Sequence, residues 1–226
     1  MTQLSLSDFD PARFARRNLI DGVLRPNGIT EPRLLAALAN LSRHAFVPHS
    51  LSMFACSDAM LEIGANRFML SPLTGARLIQ AMDATPDDIV LEIGCVTGYT
   101  VAVLARLCSM VIGLEQDPEL ARAATETLAE TGTDNAAIFT GPHSIGVPEQ
   151  GPYDAILIHG AVAEVPLPLL DQLKIGASLV TVLAPPGSPG RIVRATRTEE
   201  GPLLTILTDA NAAPCPGFSP STAFEF

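Results

Sequence analysis

From residue 88 onward the chain alternates short, near-continuous apolar runs with stretches of helical period. The runs are "IVLEI" (89–93), "MVIGLE" (110–115), "AAIFT" (136–140), "YDAILIHG" (153–160) and "SLVTVLA" (178–184). Runs without polar alternation predict strands buried on both faces, and the amphipathic stretches between them predict covering helices. The expected fold class is α/β, a doubly wound, mostly parallel sheet. Between the second and third runs, "DPELARAATETLAETG" predicts a helix with Asp117 as N-cap and Pro118 at its first position. Leu120, Ala124 and Leu128 form its apolar stripe and Gly132 its stop. "RIVRATRTEEGPLLTILTD" predicts two strands joined by a Glu-Gly-Pro turn, an antiparallel addition to the sheet edge.

The pattern before residue 80 differs. "ITEPRLLAALANLS" predicts a helix with Thr30 as N-cap, Pro32 in the first turn, and Leu34, Leu35, Leu38 and Leu41 on one face. The next thirty or so residues hold no sustained period and carry Pro48 and Pro72, which predicts short connecting elements and then a helix from about Leu73 to Met82. The expected organisation is an N-terminal helical covering segment (1–79), an α/β domain (80–208) and a tail rich in proline and phenylalanine (209–226), packed on its own domain or on a partner.

Composition narrows the functional classes. With 47% hydrophobic residues in 226, the chain can bury a large core. Its net charge of −10, from 14 Lys+Arg against 24 Asp+Glu, opposes nucleic acid as a partner. Cys56, Cys95, Cys108 and Cys215 form no CxxC pair, and His44, His49, His143 and His159 have no ligand spacing, so free thiols and no metal site are expected. The N-terminus lacks the apolar core of a signal peptide, and no uncharged apolar run reaches the ~18 residues of a membrane span. The expectation is a cytoplasmic protein with no membrane partner; the sequence leaves its oligomeric state open.

"DIVLEIGCVTGYTVAVLARL" (88–107) carries the candidate chemistry. Its loop joins a parallel strand to a helix at the strand's carboxyl end, where open α/β sheets bind ligands. A dinucleotide fingerprint would need glycines at 94, 96 and 99, but the chain has Gly94, Val96 and Tyr99. The Lys-Ser/Thr ending of a phosphate loop is also missing. Glu92 lies two residues before Gly94, and Glu115 ends the next strand. Two carboxylates at adjacent strand ends suit a ligand with ribose hydroxyls and a positive charge, such as S-adenosylmethionine. Solvated strand-end acids beside a tight turn remain the alternative.

These residues resemble the protein-L-isoaspartate O-methyltransferases. "VLEIGCVTGYTVAVLARL" is similar to that family's first motif, "GLEQDPELARAA" to its second-strand acid and helix, "GPYDAILIHGAVAEVP" to its fourth strand and "LDQLKIGASLVTVLAP" to its fifth. "RRNLI", "GITEPRLLAALANLSRHAFVP" and "LEIGANRFMLSPLTGARLIQAM" resemble its N-terminal helices and the segment entering the active site, so the likeness spans roughly 13–185. The resemblance implies a class I methyltransferase fold, S-adenosylmethionine as cofactor, and a carboxylate of a protein or peptide as methyl acceptor. It places Glu92, Gly94, Cys95, Gly98, Glu115, Gln116, Pro142 and His143 around the cofactor.

Three positions depart from the family pattern. Leu70 stands where the family has an active-site serine, with Ser71 beside it as a weak catalytic candidate. Gly141-Pro142-His143 replaces Gly-Asp-Gly after the third strand, and His143 is either an adenine contact or a surface histidine. Val96 replaces the central glycine; a positive φ there would strain a β-branched side chain by about 1–2 kcal/mol. His159 follows the fourth strand, near the substrate or with only local hydrogen bonds. The departures imply an O-methyltransferase of isoaspartyl type that is weak or altered in substrate, or else a non-catalytic cofactor-binding or protein-interaction descendant.

Overall fold

The computed structural model describes residues 10–64 and 66–218. The tail's Phe224 and Phe226, and the first nine residues, lie outside them. Helix α1 (Pro11–Leu19) starts at Asp10, whose Oδ1 accepts from Ala12 N at 2.9 Å and Arg13 N at 3.2 Å. It runs on through a wide turn, Ile20–Leu24, that buries Ile20 and Leu24. In α2 (Pro32–Asn40) the cap is Glu31, not the expected Thr30: its carboxylate accepts from Leu34 N. Pro32 takes the first helical position, so the extended residue directly before it becomes the cap, and Thr30 N turns to Gln80 Oε1 at 2.8 Å.

Two short 3-10 segments, Arg43–Phe46 and His49–Phe54, lead to an antiparallel hairpin, β1 (Leu61–Gly64) and β2 (Arg67–Met69). The aperiodic sequence predicts short connecting elements there, and two of them are strands. Helix α3 (Pro72–Met82) follows, with Ser71 as N-cap.

The rest of the chain builds the sheet: β3 (Ile89–Ile93), α4 (Tyr99–Leu104), β4 (Met110–Glu115), α5 (Pro118–Glu130), β5 (Ala136–Thr140), β6 (Tyr153–Val162), α6 (Leu167–Leu170), β7 (Leu173–Leu183), β8 (Arg191–Thr198) and β9 (Gly201–Asp209). The order across the sheet is β5-β4-β3-β6-β7-β8-β9, parallel through β7 and antiparallel for the last two strands. Chain direction across the sheet reverses between β3 and β6, which makes their carboxyl ends the switch point where such sheets bind ligands.

Both faces of the sheet's central strands are covered, while the edge strand β9 is exposed throughout. Val90, Val111, Ala155 and Leu157 pack with α3, α4 and the N-terminal helices, while Leu91, Ile93, Ile112, Leu114, Ile156 and Ile158 pack with α6 on the other face. Strands β6 and β7 are longer than the apolar runs that predicted them. The β6–β7 register slips between Leu157 and Ala161, and this irregularity carries β6 on to Val162. Among the described residues no helix is long and apolar enough to cross a membrane.

Candidate active site

Residues of equal parity on a strand share a face. Glu92 on β3, Glu115 on β4 and His159 on β6 therefore point to the same side of the sheet as Val90, Val111 and Leu157, the side of α3 and α4. Glu92 pairs in register with Gly113 and with Leu157, so Glu115 and His159 each stand two residues nearer the carboxyl edge. The switch point thus gathers two acids and a histidine, all buried.

Glu115 is fully enclosed. Its Oε2 accepts from Arg67 Nη2 at 2.6 Å and from Val96 N at 2.9 Å, and its Oε1 accepts from Gln116 N at 2.9 Å and Asp117 N at 3.1 Å. Burial by itself would raise the carboxyl pKa. The His143 imidazole, the Arg67 charge and the Asp117 N–H together outweigh it and hold the group at about 2.

Glu92 experiences the opposite balance. Burial raises its pKa and the Glu115 charge adds to the rise, while the hydrogen bonds of His159 and Thr100 oppose it only in part. Leu70 N donates to His159 Nε2 at 3.2 Å, which puts the ring hydrogen on Nδ1, 2.9 Å from Glu92 Oε1. Glu92 Oε2 is buried with no hydrogen-bond partner. The bonds of His159 reach β3 and the segment before α3, so the expectation of a histidine with only local bonds is overturned. The sheet register decides this, because β3 and β6 are adjacent in space though 67 residues separate Glu92 from His159.

Leu70 lines a cavity of about 20 Å³ with Arg43, Tyr99, Thr100 and His159. That volume holds about one water. Arg43 Nη2 donates to Leu70 O at 2.6 Å, and its guanidinium lies 4.8 Å from the centre of the Tyr99 ring. Ser71 Oγ accepts from Thr74 N at 3.3 Å as the α3 cap, so this hydroxyl serves the helix.

The bend after β3 runs through positive φ at Gly94 (77°), Val96 (52°) and Gly98 (83°). A β-branched residue in this region is a steric outlier. Val96 is held there by its N–H on Glu115 and by Thr97 Oγ1, which donates to Phe46 O at 2.6 Å. Gly98 turns its open side to α5: a Cβ there would lie 3.3 Å from Ala124 Cβ.

The remaining wall of the site comes from the far end of the chain. Ala161 N donates to Ala213 O and Cys215 N to Ala161 O, each at 2.8 Å, so residues 213–215 lie as a parallel bridge beside the end of β6. His143 Nδ1 donates to Pro216 O at 2.9 Å. Cys215 Sγ sits over Gly94, where a Cβ would come within 3.0 Å of it and within 3.2 Å of Arg67 Nη2.

Cys215, His143 and Glu115 have the connectivity of a nucleophile, base and orienting acid, with Sγ 3.7 Å from Nδ1 and Nε2 3.5 Å from the carboxylate. The chemistry does not follow. Burial pushes the Cys215 thiol up to about 12, and the Nδ1 hydrogen is committed to Pro216 O, so no base faces the sulfur. Among the described residues no three His, Cys, Asp or Glu side chains converge as a metal site requires.

The structure therefore brings together Glu92, Gly94, Cys95, Glu115, Gln116 and His143. His143 is completely buried, which overturns the surface-histidine alternative: the turn after β5 folds it inward against Glu115. Pro142 beside it stays exposed. Sequence reasoning missed Arg67, Arg43 and Cys215. Arg67, the one basic residue of a mostly apolar hairpin and three residues before Leu70, carried a faint signal; Cys215 carried none, because its place depends on how the chain end folds back.

A doubly wound sheet with helices on both faces, acids at its switch point and a tight bend after its first central strand define the class I methyltransferase fold. The sequence family described as Protein-L-isoaspartate(D-aspartate) O-methyltransferase (PCMT) matches residues 15–207. The chain belongs to this family, whose cofactor is S-adenosylmethionine. It is 39% identical to a protein-L-isoaspartate O-methyltransferase of Myxococcus xanthus over 197 residues, 86% of this chain and 93% of the relative. It is 41% identical to one from a Synechococcus species over 171 residues, 76% of this chain and 70% of that protein. A solved protein-L-isoaspartate O-methyltransferase superposes with a TM-score of 0.78 at 21% identity, covering 90% of this chain and 67% of that one. A beta-aspartate methyltransferase of Plasmodium falciparum, in complex with S-adenosyl-L-homocysteine, gives 0.76 at 18% identity, covering 92% and 100%.

The donor set fits the family's cofactor. Glu92 Oε2 is a buried acceptor that lacks a donor, and Glu115 is held ionised. The space between them does not fit it in this arrangement, because Arg67, His143 and Cys215 fill it.

Proposed function

We propose that this chain is an S-adenosylmethionine-dependent O-methyltransferase acting on isoaspartyl-type carboxylates of proteins or peptides, with an acceptor pocket altered by Leu70. The observation that carries the reading is the pair of buried acids, Glu92 and Glu115, on one face at the switch point. Family membership supports the reaction class and a role in protein repair. Four free cysteines support a reducing, cytoplasmic setting.

When bound, the cofactor supplies an electrophilic methyl group on a sulfonium centre. Glu115 and Gln116 would hold its ribose side, Glu92 and Gly94 its methionine end, with Cys95 and His143 flanking. An acceptor carboxylate with a pKa near ~4 is already ionised at neutral pH, so no general base is needed. What the chain must supply is alignment and exclusion of water. The His159–Glu92 pair fixes Leu70 through the Leu70 N–H, and Leu70 presents an apolar wall where a hydroxyl would have oriented the acceptor oxygen. An acceptor oxygen unpaired against that wall is penalised by a few kcal/mol, roughly 1–3.

Labelled methyl transfer to an isoaspartyl peptide tests the reading. Base-labile methyl ester is expected, formed more slowly than by a relative with the family serine. Cofactor binding with no ester from any isoaspartyl peptide would replace it with the second reading, a binding descendant without turnover. That reading is favoured by one observation, the filled space beside Gly94.

A further inference from the structure

We propose that residues 211–218 are a tethered occupant of the cofactor pocket, and that this segment and an adenosyl cofactor hold the carboxyl edge of the sheet by turns. The inference rests on the reading of the pocket as an S-adenosylmethionine site.

Its contacts are those of a docked ligand. The segment pairs backbone to backbone with Ala161, as an added half-strand would. Pro216 O takes the His143 Nδ1 hydrogen, and Cys215 Sγ occupies the surface of Gly94. Two glycines are shaped to it. A Cβ on Gly160 would meet Cys215 Cβ at 2.9 Å and Ala213 O at 3.0 Å, so a side chain at Gly94 or Gly160 would expel the segment. Arg67 completes the match by neutralising Glu115, so the acid can be enclosed without an external cation.

The segment is also built to leave. It hangs from the exposed edge strand β9; among the described residues its backbone bonds to the sheet beyond Ala210 N to Gly190 O are the two with Ala161. Side chains hold it as well: Ala213 N donates to Met60 Sδ at 3.2 Å, and Asn211 O accepts from Thr74 Oγ1 at 3.5 Å. The segment lies beyond residue 207, where the family match ends. A pocket that must first open binds with an affinity reduced by the open fraction. A segment docked nine-tenths of the time weakens the cofactor about tenfold.

The test uses the full chain. Cofactor and S-adenosyl-L-homocysteine affinities are measured by calorimetry for the wild type and for Cys215→Phe, whose ring cannot fit over Gly94. The rate of Cys215 alkylation in the wild type, read by mass spectrometry of its peptide, is followed with and without S-adenosyl-L-homocysteine, a readout that needs no variant to fold. Tighter binding in Cys215→Phe by about tenfold, together with faster Cys215 alkylation when ligand is bound, supports the proposal. Equal affinities with Cys215 still protected in the complex overturn it and leave the cofactor site standing. No binding by either protein, with native melting curves, overturns both.

Discussion

Arg67 Nη2 stands 2.6 Å from Glu115 Oε2, and both side chains are out of solvent. The guanidinium therefore takes the electrostatic position of a ligand cation beside this acid. Removing one member of such a pair leaves the other charged and buried, which costs about 3–5 kcal/mol. Arg67→Met is expected to lose that much in urea unfolding, and Arg67→Met with Glu115→Gln to recover most of it. A single-variant loss below ~1 kcal/mol, the scale of an exposed pair, would show that the contact carries no weight.

Acid should act on the same carboxylate. Glu115 is held at about 2 against a usual 4.5, so its contribution is complete above the usual value and is lost as pH falls towards about 2. Glu115→Gln should flatten that acid limb of the melting temperature. Glu92 has the reverse sign: its pKa is raised, so its contribution is complete below the usual carboxylate range and declines as pH climbs through the raised value. Glu92→Gln should then raise the melting temperature more at about pH 8 than at about pH 4. Parallel shifts at both would contradict the opposed environments.

Val96 at φ 52° reverses the usual order of two small residues. In ordinary helix or strand positions alanine is more stabilising than glycine by roughly 0.5–1 kcal/mol. At a positive φ the Cβ itself costs roughly 1–2 kcal/mol, so Val96→Gly should be more stable than Val96→Ala by about 1 kcal/mol. Chemical denaturation of the two variants decides it; alanine above glycine would mean that the bend relaxes to negative φ.

Leu70→Ser places a hydroxyl where the resemblance in sequence puts the family's active-site serine. Methyl transfer to an isoaspartyl peptide should rise by about tenfold, the worth of one well-made hydrogen bond of ~1.4 kcal/mol. Stability should fall by roughly 2–5 kcal/mol, because Leu70 is buried and its replacement leaves a cavity. An unchanged rate in a folded variant would mean that the wall at residue 70 does not limit turnover.

Much of this architecture was legible in the chain. The apolar runs at 89–93, 110–115 and 136–140 match the strands to the residue, and Asp117 caps α5 as its spacing predicted. Strand and helix periods are local, so they survive in one dimension. The family was legible for a related reason: its motifs are contiguous stretches around strand ends. The hairpin β1–β2 was not, since three- and four-residue strands form too short a pattern to separate from a loop. The partners of the acids were not either. Nothing near Glu115 in sequence points to Arg67, 48 residues away, and nothing near Gly94 points to Cys215.

By itself the sequence determined the strands, their covering helices, the acids at the strand ends and the family, because alternation, capping and motif spacing act between residues a few positions apart. Only the tertiary structure decided what those acids face. Burial makes each charge choose partners across the fold, and close packing at glycine surfaces admits whichever segment arrives there. At this sheet edge those are Arg67, His143 and the returning end of the chain.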